Sequence, residues 1–535
     1  MPYGLRPLLA SLAICLLSLA SPNWADAGGK LAITVVDEET GQPIPCRMHL
    51  KSANGKPRRA GKLTFWDDHL SFSGTLELEL PRGNYAFELE RGPEYVLRTG
   101  HFNIENFADD AKTVELKRFV DMAKDGWWSG DLNVRRSPDQ IELLMRAEDL
   151  HVAQVVTWSN DPSTKPKQDL PKTALVEFDE NRFYQQLVGA NRGDGGGVLF
   201  YNLTQPLEYA SNPPPVTAAA GRGTSPRPPV AQVRGGAGDS LTTLKMIAEA
   251  RLQPDVWIDV ETPQSWDLSV FLASGNVDSL CLANRLMCRG KTLDTLPGDR
   301  PRDAKRLRGP WGNGVWSQEI YYHALNCGLR LPPTAGSASG VAPNPVGYNR
   351  VYVYCGENFT PQAWWEGLRA GRVVVTNGPL MRPDVEGQMP GHVFEAEAGE
   401  EISLAISLNL ATRDPVSYLE VIRNGQIERS VRLDEWAKTG KLPPVTFKES
   451  GWFLLRAVTE AEKTYRFVST GPYYVEIGEA KRRVSRKSAE FFLDWAQQRR
   501  ASLKLTDVER QREAMTHHNA AVMFWQQMVQ QATAE

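Results

Sequence analysis

From Trp127 to Thr376 the chain repeats one alternation, a short apolar run and then a stretch with helical spacing. "VAQVVTW" (Val152–Trp158), "GVLFYNL", "VWIDVE", "VDSLCLA", "NRVYVYC" and "RVVVTNG" read as strands. "ENRFYQQLVGA", "DSLTTLKMIAEARL", "SWDLSVFLASG", "SQEIYYHALNCG" and "TPQAWWEGLRAG" read as helices. Apolar runs without polar alternation suit strands buried on both faces, and intervening helices supply the cover. The expectation is therefore a parallel α/β sheet or barrel over residues 119–380. Its first helix starts at Ser137-Pro138-Asp139-Gln140, with Ser as N-cap and Gln closing a capping box. Ile141, Leu144 and Met145 make its apolar stripe, with Glu142, Arg146 and Asp149 on the other side.

The flanks follow a different period. Leu76, Leu78 and Leu80 alternate with polar residues, and turn signals recur at Gly41-Gln42-Pro43 and Pro81-Arg82-Gly83-Asn84. Short strands with regular turns predict a β-sandwich over residues 28–118. A second is expected over 381–480, with Asn424-Gly425 as a hairpin turn. Residues 481–535 read as a helical tail that packs through Phe491, Phe492, Trp495, Met523, Phe524 and Met528. Residues 205–239 interrupt the α/β region with a Pro-, Gly- and Ala-rich insertion, read as a flexible surface loop.

Bulk properties narrow the setting. A chain of 535 residues calls for about three domains. Lys plus Arg is 61 against 64 Asp plus Glu, a balance that gives no electrostatic footprint for nucleic acid. Residues 1–27 have a basic start at Arg6, an apolar run and small residues at Ala25 and Ala27, the pattern of a cleaved export signal. The destination is then the periplasm or the outside of the cell, with no membrane span left after cleavage. Past that signal, Cys46, Cys281, Cys288, Cys327 and Cys355 are odd in number and form no CxxC pair, so buried free thiols are expected. His49, His69 and His101 have no metal-like spacing and read as structural or surface residues; His517 and His518 point apart on a helix.

In parallel α/β folds, chemistry gathers at the carboxyl ends of strands. Those ends offer Asp131, Asn133 and Arg135, then Ser159 and Asn160, Asn202, Asp259 and Glu261, Asn284 and Arg285, and Ser337 and Ser339, with His323 on a preceding helix. Trp127, Trp128, Trp158, Trp257, Trp266, Trp311 and Trp316 lie in the same segments. Aromatic walls with scattered hydrogen-bonding groups suit a sugar; the competing reading is that these rings fill space between domains. Asp259 and Glu261 are too close together for an inverting acid–base pair. Ser337 with His323 lacks a G-x-S-x-G elbow. "GDGGG" precedes a strand and reads as a turn, not a phosphate loop.

"GWWSGDLNVRRSPDQIELLMRAEDLHV", "AGSASGVAPNPVGYNRVYV" and "WWEGLRAGRVVVTNGPL" resemble the exported metallohydrolases of the polymerase-and-histidinol-phosphatase (PHP) superfamily, in the CehA/McbA-like branch. The N-terminal β region resembles carboxypeptidase-regulatory-like domains. The resemblance implies a PHP-like α/β barrel and a metal bound by Asp-Leu-His-x-His and Gly-Ser-Asp-x-His motifs. Here Asn133 and Arg135 stand at the first two histidines, and Ala338 and Gly340 at the later Asp and His. Asn is a weak neutral ligand, and Arg brings a permanent positive charge with no lone pair. Arg135 is expected to pair with Asp131, Asp259 or Glu261 in place of the metal.

The expectation is thus an exported PHP-like pseudoenzyme without a metal or other cofactor. It binds a small-molecule or carbohydrate ligand in the former cleft through Trp128, Asn133, Arg135, Asn160, Asn202, Asn284 and Ser337. One alternative is an active hydrolase of phosphoester, ester or amide bonds, using Asp131, Asp259, Glu261 and His323 around a weakly bound divalent metal. The other is a structural or interaction protein of the cell envelope.

Overall fold

The computed structural model describes residues 28–61, 63–159, 173–207, 239–479 and 481–535. The expected export signal, Asn160 and most of the expected loop lie outside them. Among the described residues, nine strands precede the first helix. In the N-terminal part, β1 (Gly29–Asp37), β5 (Thr75–Leu80) and β8 (Asp109–Leu116) form one sheet. The second is β3 (Phe65–Trp66), β4 (His69–Phe72), β2 (Cys46–Ser52), β6 (Gly83–Glu90) and β7 (Arg98–Ile104) in that order. The turn at Pro81-Arg82 carries the chain from one sheet to the other, because β5 pairs with β1 while β6 pairs with β2 and β7. The period-2 alternation of β5 turns Leu76, Leu78 and Leu80 inward, where they meet Leu31, Met48 and Tyr85 in one core.

The central region is a mixed sheet, not the parallel one expected. β9 (Trp127–Val134), β10 (Val152–Ser159) and β12 (Arg182–Gly193) are parallel neighbours. β13 (Gly196–Tyr201) then runs antiparallel between β12 and β14 (Trp257–Val260), with β11 (Leu175–Phe178) on the outer side of β12. β15 (Ser279–Ala283) and β16 (Pro333–Ala335) are again parallel to β14. The stretch expected as a helix at "ENRFYQQLVGA" is β12, its backbone paired on both sides by β10 and β13. Gly189 lets Trp158 lie across that strand, since a Cβ there would stand 1.8 Å from the indole. "GDGGG" is the β12–β13 hairpin turn. The ladder closes into no barrel among the described strands, but β16 lies beside β9, and one isolated parallel bridge joins Val134 to Ser339.

β17 (Arg350–Tyr354) pairs antiparallel with β9, and β18 (Val373–Thr376) with β17. β18 also pairs with β26 (Phe467–Thr470), so the same sheet continues through β25 (Gly451–Thr459), β22 (Val416–Arg423) and β23 (Gln426–Arg432), with β20 (Val393–Ala396) and β27 (Tyr473–Ile477) alongside. A three-stranded sheet of β19 (Leu380–Val385), β21 (Ile402–Ala411) and β24 (Lys441–Phe447) accompanies it. Their common core joins Leu404, Val421 and Phe453 to Trp127 and Tyr352 of the central region. Asn424 and Gly425, with φ of 49° and 82°, make the β22–β23 turn, as the Asn-Gly pair requires.

Among the described residues the helices are α1 (Pro138–Ala147), α2 (Ser240–Ala250), α3 (Leu268–Ser274), α4 (Gly312–Asn326), α5 (Pro361–Arg369), the short α6 (Leu433–Thr439), α7 (Arg486–Ser502) and α8 (Val508–Gln530). In α1 the Ser137 hydroxyl bonds Asp139 instead of closing a capping box, while Ile141, Leu144 and Met145 are buried as expected. Asp149, expected on the outer face of that helix, is buried and ion-paired with Arg91, Arg118 and Arg182. The C-terminal helices α7 and α8 pair and bury Phe492, Trp495 and Trp525, with Trp316 of α4 stacked on Trp495. Met523, expected to pack, is exposed, because it lies on the opposite side of α8 from Trp525, which stacks on Phe492 of α7. Cys46, Cys281, Cys288, Cys327 and Cys355 carry no disulfide. Among the described residues no helix is long and apolar enough to cross a membrane.

Candidate functional site

Where β9, β12, β14 and β15 end, the chain places polar residues against one another in the interior. Glu261, one residue beyond β14, is the centre. It accepts from Arg135 Nη2 at 2.9 Å, Arg192 Nη1 at 2.9 Å, Arg285 Nη1 at 3.2 Å and Asn133 Nδ2 at 3.1 Å. Arg135 Nε donates to Asn133 Oδ1 at 3.0 Å, and Arg192 Nη2 to Asp299 Oδ1 at 2.8 Å. The Arg135 side chain has 0% exposure. Burial pushes the Glu261 carboxyl up, but Arg285, Arg135 and Arg192 together outweigh it and hold the group well below the usual carboxylate range.

Asp131 is committed elsewhere. Its Oδ1 accepts the backbone N–H groups of Asn133 and Ser337, each at 3.0 Å, and its Oδ2 that of Gly347 at 2.7 Å. It therefore ties the segment after β16 to β9, and burial raises its pKa. Asp259 accepts from Ser279 Oγ (2.7 Å), Thr334 Oγ1 (2.9 Å) and the Tyr201 hydroxyl (3.3 Å). Burial pushes its carboxyl up to about 7. Ser337 exchanges hydrogen bonds with the Asn349 backbone, and Asn284 Nδ2 donates to Ser317 Oγ at 3.1 Å.

Other expected site residues lie apart. Asn202 follows β13, and because β13 is antiparallel to β12 it emerges at the opposite end of the sheet, where it bonds Gln185 and the Asp255 carbonyl. His323 sits on the face of α4 that meets the tail, with Nδ1 2.9 Å from Ser488 Oγ and its ring stacked on Phe491, so it forms no relay with Ser337. Burial lowers its pKa to about 4. Trp128 stacks on Phe359 at 4.2 Å, Trp158 on Phe200 and Trp257 against Trp365; these rings fill interior space. Arg192 and Asp299 complete the cluster and were not found by sequence reasoning. Arg192 becomes legible once β12 is read as a strand ending in polar residues; Asp299 lies in a loop that carries no signal.

The residues present do not fit the metal that the PHP resemblance implies. Three guanidinium groups share one carboxylate there, and each would repel a cation. At Gly340 (φ 110°), where the family's last histidine would stand, a Cβ would lie 2.3 Å from the Arg135 carbonyl oxygen.

A larger opening lies elsewhere. A cavity of about 520 Å³ is walled by the N-terminal sandwich, the central sheet and the C-terminal strands. Arg47, Arg289, Arg413 and Arg466 line it, against Glu90, Glu148 and Asp414, with Tyr348 and an apolar side that includes Val96 and Phe119. Burial pushes the Glu148 carboxyl up to about 7, so near neutrality it neutralises Arg47 only in part. Arg47 Nη1 has no hydrogen-bond partner among the described residues.

The chain is a multidomain mixed α/β protein with β-sandwich-like sheets and two C-terminal helices. No family model and no curated protein matches it. Among solved structures, it is similar to the Bacillus anthracis TIE protein (TM-score 0.15, 21% identity), covering 20% of this chain and 19% of that one. The fibronectin(III)-like modules of Clostridium thermocellum CbhA match with TM-score 0.13 and 21% identity over 18% of this chain and 94% of that one. The N-terminal four Ig domains of Dscam1 isoform 4.4 match with TM-score 0.12 and 9% identity over 84% of this chain and 100% of that one. This chain thus spans about a fifth of the length of the TIE protein.

Proposed function

We propose that this is an exported, catalytically silent relative of the PHP metallohydrolases that binds a small anionic ligand. The order β9-β10-β12 and β14-β15-β16, with the bridge from Ser339 back to Val134, supports a distorted PHP-type barrel. The Glu261 cluster supports the loss of metal chemistry, because the cations needed to hold that carboxylate ionised occupy the metal's place. The Arg135 side chain is fully buried against Glu261 and so offers a ligand no surface. The ligand site moves to the cavity between the three units, and one observation carries that assignment: four arginines and three carboxylates line it, Glu148 among these is partly protonated, and Glu88 pairs Arg289 from outside the lining. Planar guanidinium forks match carboxylates and phosphates, and the apolar side suits a ring or short chain. A sugar acid or sugar phosphate fits this chemistry.

The test is calorimetric titration of the mature chain with uronic acids and sugar phosphates, beside metal analysis and a phosphodiesterase assay with added manganese or zinc. Saturable binding, weakened at least about tenfold by Arg413→Ala, with no metal-dependent turnover, is the expected result. Metal-dependent turnover would establish the active hydrolase instead. Absence of binding by any anion of the set would leave the scaffold reading standing.

A further inference from the structure

We propose that His49, His69 and Asp68 form a site for a divalent transition metal of the zinc class, on the face of the N-terminal sandwich that docks against α1. The site is independent of the ligand cavity and of the Glu261 cluster. β2 and β4 are antiparallel, with Arg47 opposite Ser71 and Met48 opposite Leu70. One rung further on, His49 faces His69 across the ladder, and their ring centroids are 5.3 Å apart. The chain reverses from β3 into β4 through Asp67-Asp68, with Asp67 at φ 50°. That turn delivers the Asp68 carboxylate to both rings: Oδ2 is 3.3 Å from His49 Nδ1, and Oδ1 is 3.1 Å from His69 Nδ1. The three donor atoms all lie within 4.8 Å of one another. Zinc holds nitrogen and oxygen at about 2.0–2.2 Å in a tetrahedron, which sets neighbouring ligand atoms about 3.3 Å apart.

Two further observations agree. His49 is 1% exposed, its Nδ1 meets the Asp68 carboxylate only at 3.3 Å, and its Nε2 has no hydrogen-bond partner among the described residues. A buried imidazole held only by that long contact is costly, and a metal on Nδ1 would give the ring a strong partner. The Asp68 side chain is half exposed, which leaves an entry path and room for a water as fourth ligand. The nearby cations are paired away from the site, Arg47 with Glu90 and in part with Glu148, and Arg289 with Glu88. Two imidazoles and one carboxylate select zinc, cobalt(II), nickel or copper(II) over calcium and magnesium. Twenty positions of sequence separate the two histidines, and only the sheet register brings them together.

The experiment uses the untagged mature chain, stripped with chelator and titrated with Co²⁺ and then with Zn²⁺. One equivalent of Co²⁺ should give the d–d bands of a low-symmetry nitrogen–oxygen site, and one equivalent of Zn²⁺ should displace it. Asp68→Asn, at a half-exposed turn, and His69→Gln should each weaken zinc binding by more than about 100-fold, with the circular dichroism spectrum of each variant checked against the parent. If His69→Gln does not fold, Asp68→Asn decides. No cobalt bands in the parent chain, a sulfur-to-cobalt charge-transfer band, or zinc binding unchanged in Asp68→Asn would each overturn the proposal.

Discussion

Glu261 holds three buried guanidiniums, and its removal takes from all three the carboxylate they share, although Arg192 keeps Asp299. Breaking a buried ion pair from one side leaves uncompensated charge, so Glu261→Gln should cost about 3–5 kcal/mol in urea unfolding. Asp259 behaves in the opposite sense. Its folded pKa, about 7, lies above that of an unfolded Asp, so the folded state binds more protons between those values. The stability this group contributes is fully present at low pH and is lost as pH rises to about 7. Asp259→Asn removes that dependence, so the stability difference between parent and variant should shrink from about pH 5 to about pH 7, followed by urea melts at each pH. At this scale the sequence was informative in part. Arg135 at a ligand position demanded a carboxylate partner, and Glu261 was one of three candidates. Which of the three depended on side-chain reach across the sheet, which no local pattern encodes.

Among the elements, most boundaries follow from apolar runs and turn residues, and β12 is the instructive exception. Phe183, Leu187 and Val188 have helical spacing, yet the segment lies between β10 and β13, where ladder hydrogen bonds on both edges outweigh local propensity. That single reversal made the sheet mixed and sent Asn202 to the far end. Gly189 is the informative residue of the strand, since Trp158 occupies the space a side chain would need. Gly189→Val should therefore destabilise by about 1–3 kcal/mol or more, read in thermal melts together with a shift of tryptophan fluorescence as Trp158 is displaced. The His49–His69 pair was hidden for the same reason: cross-strand register, unlike helical spacing, leaves no mark at short range.

For the molecule as a whole, the sequence placed β-rich segments on both sides of an α/β centre and a helical tail at the end, and read "RVVVTNG" as a strand, but not the pairing by which that strand joins two of these parts. β18 belongs to the ladder of β17 and to that of β26, and Trp127 and Tyr352 sit in the C-terminal core. The central and C-terminal parts should accordingly unfold in one transition, with far-UV circular dichroism and tryptophan fluorescence coincident in guanidinium, whereas independent domains would separate them. The shared strand has a mechanical corollary. Asn377 and Gly378, which follow β18 directly, form part of the cavity wall, so two sides of that chamber are riveted by backbone hydrogen bonds, with no hinge between them. For the ligand proposed above, those two walls would act as a single rigid mould, and any adjustment to a guest would have to come from the N-terminal sandwich that forms the third side.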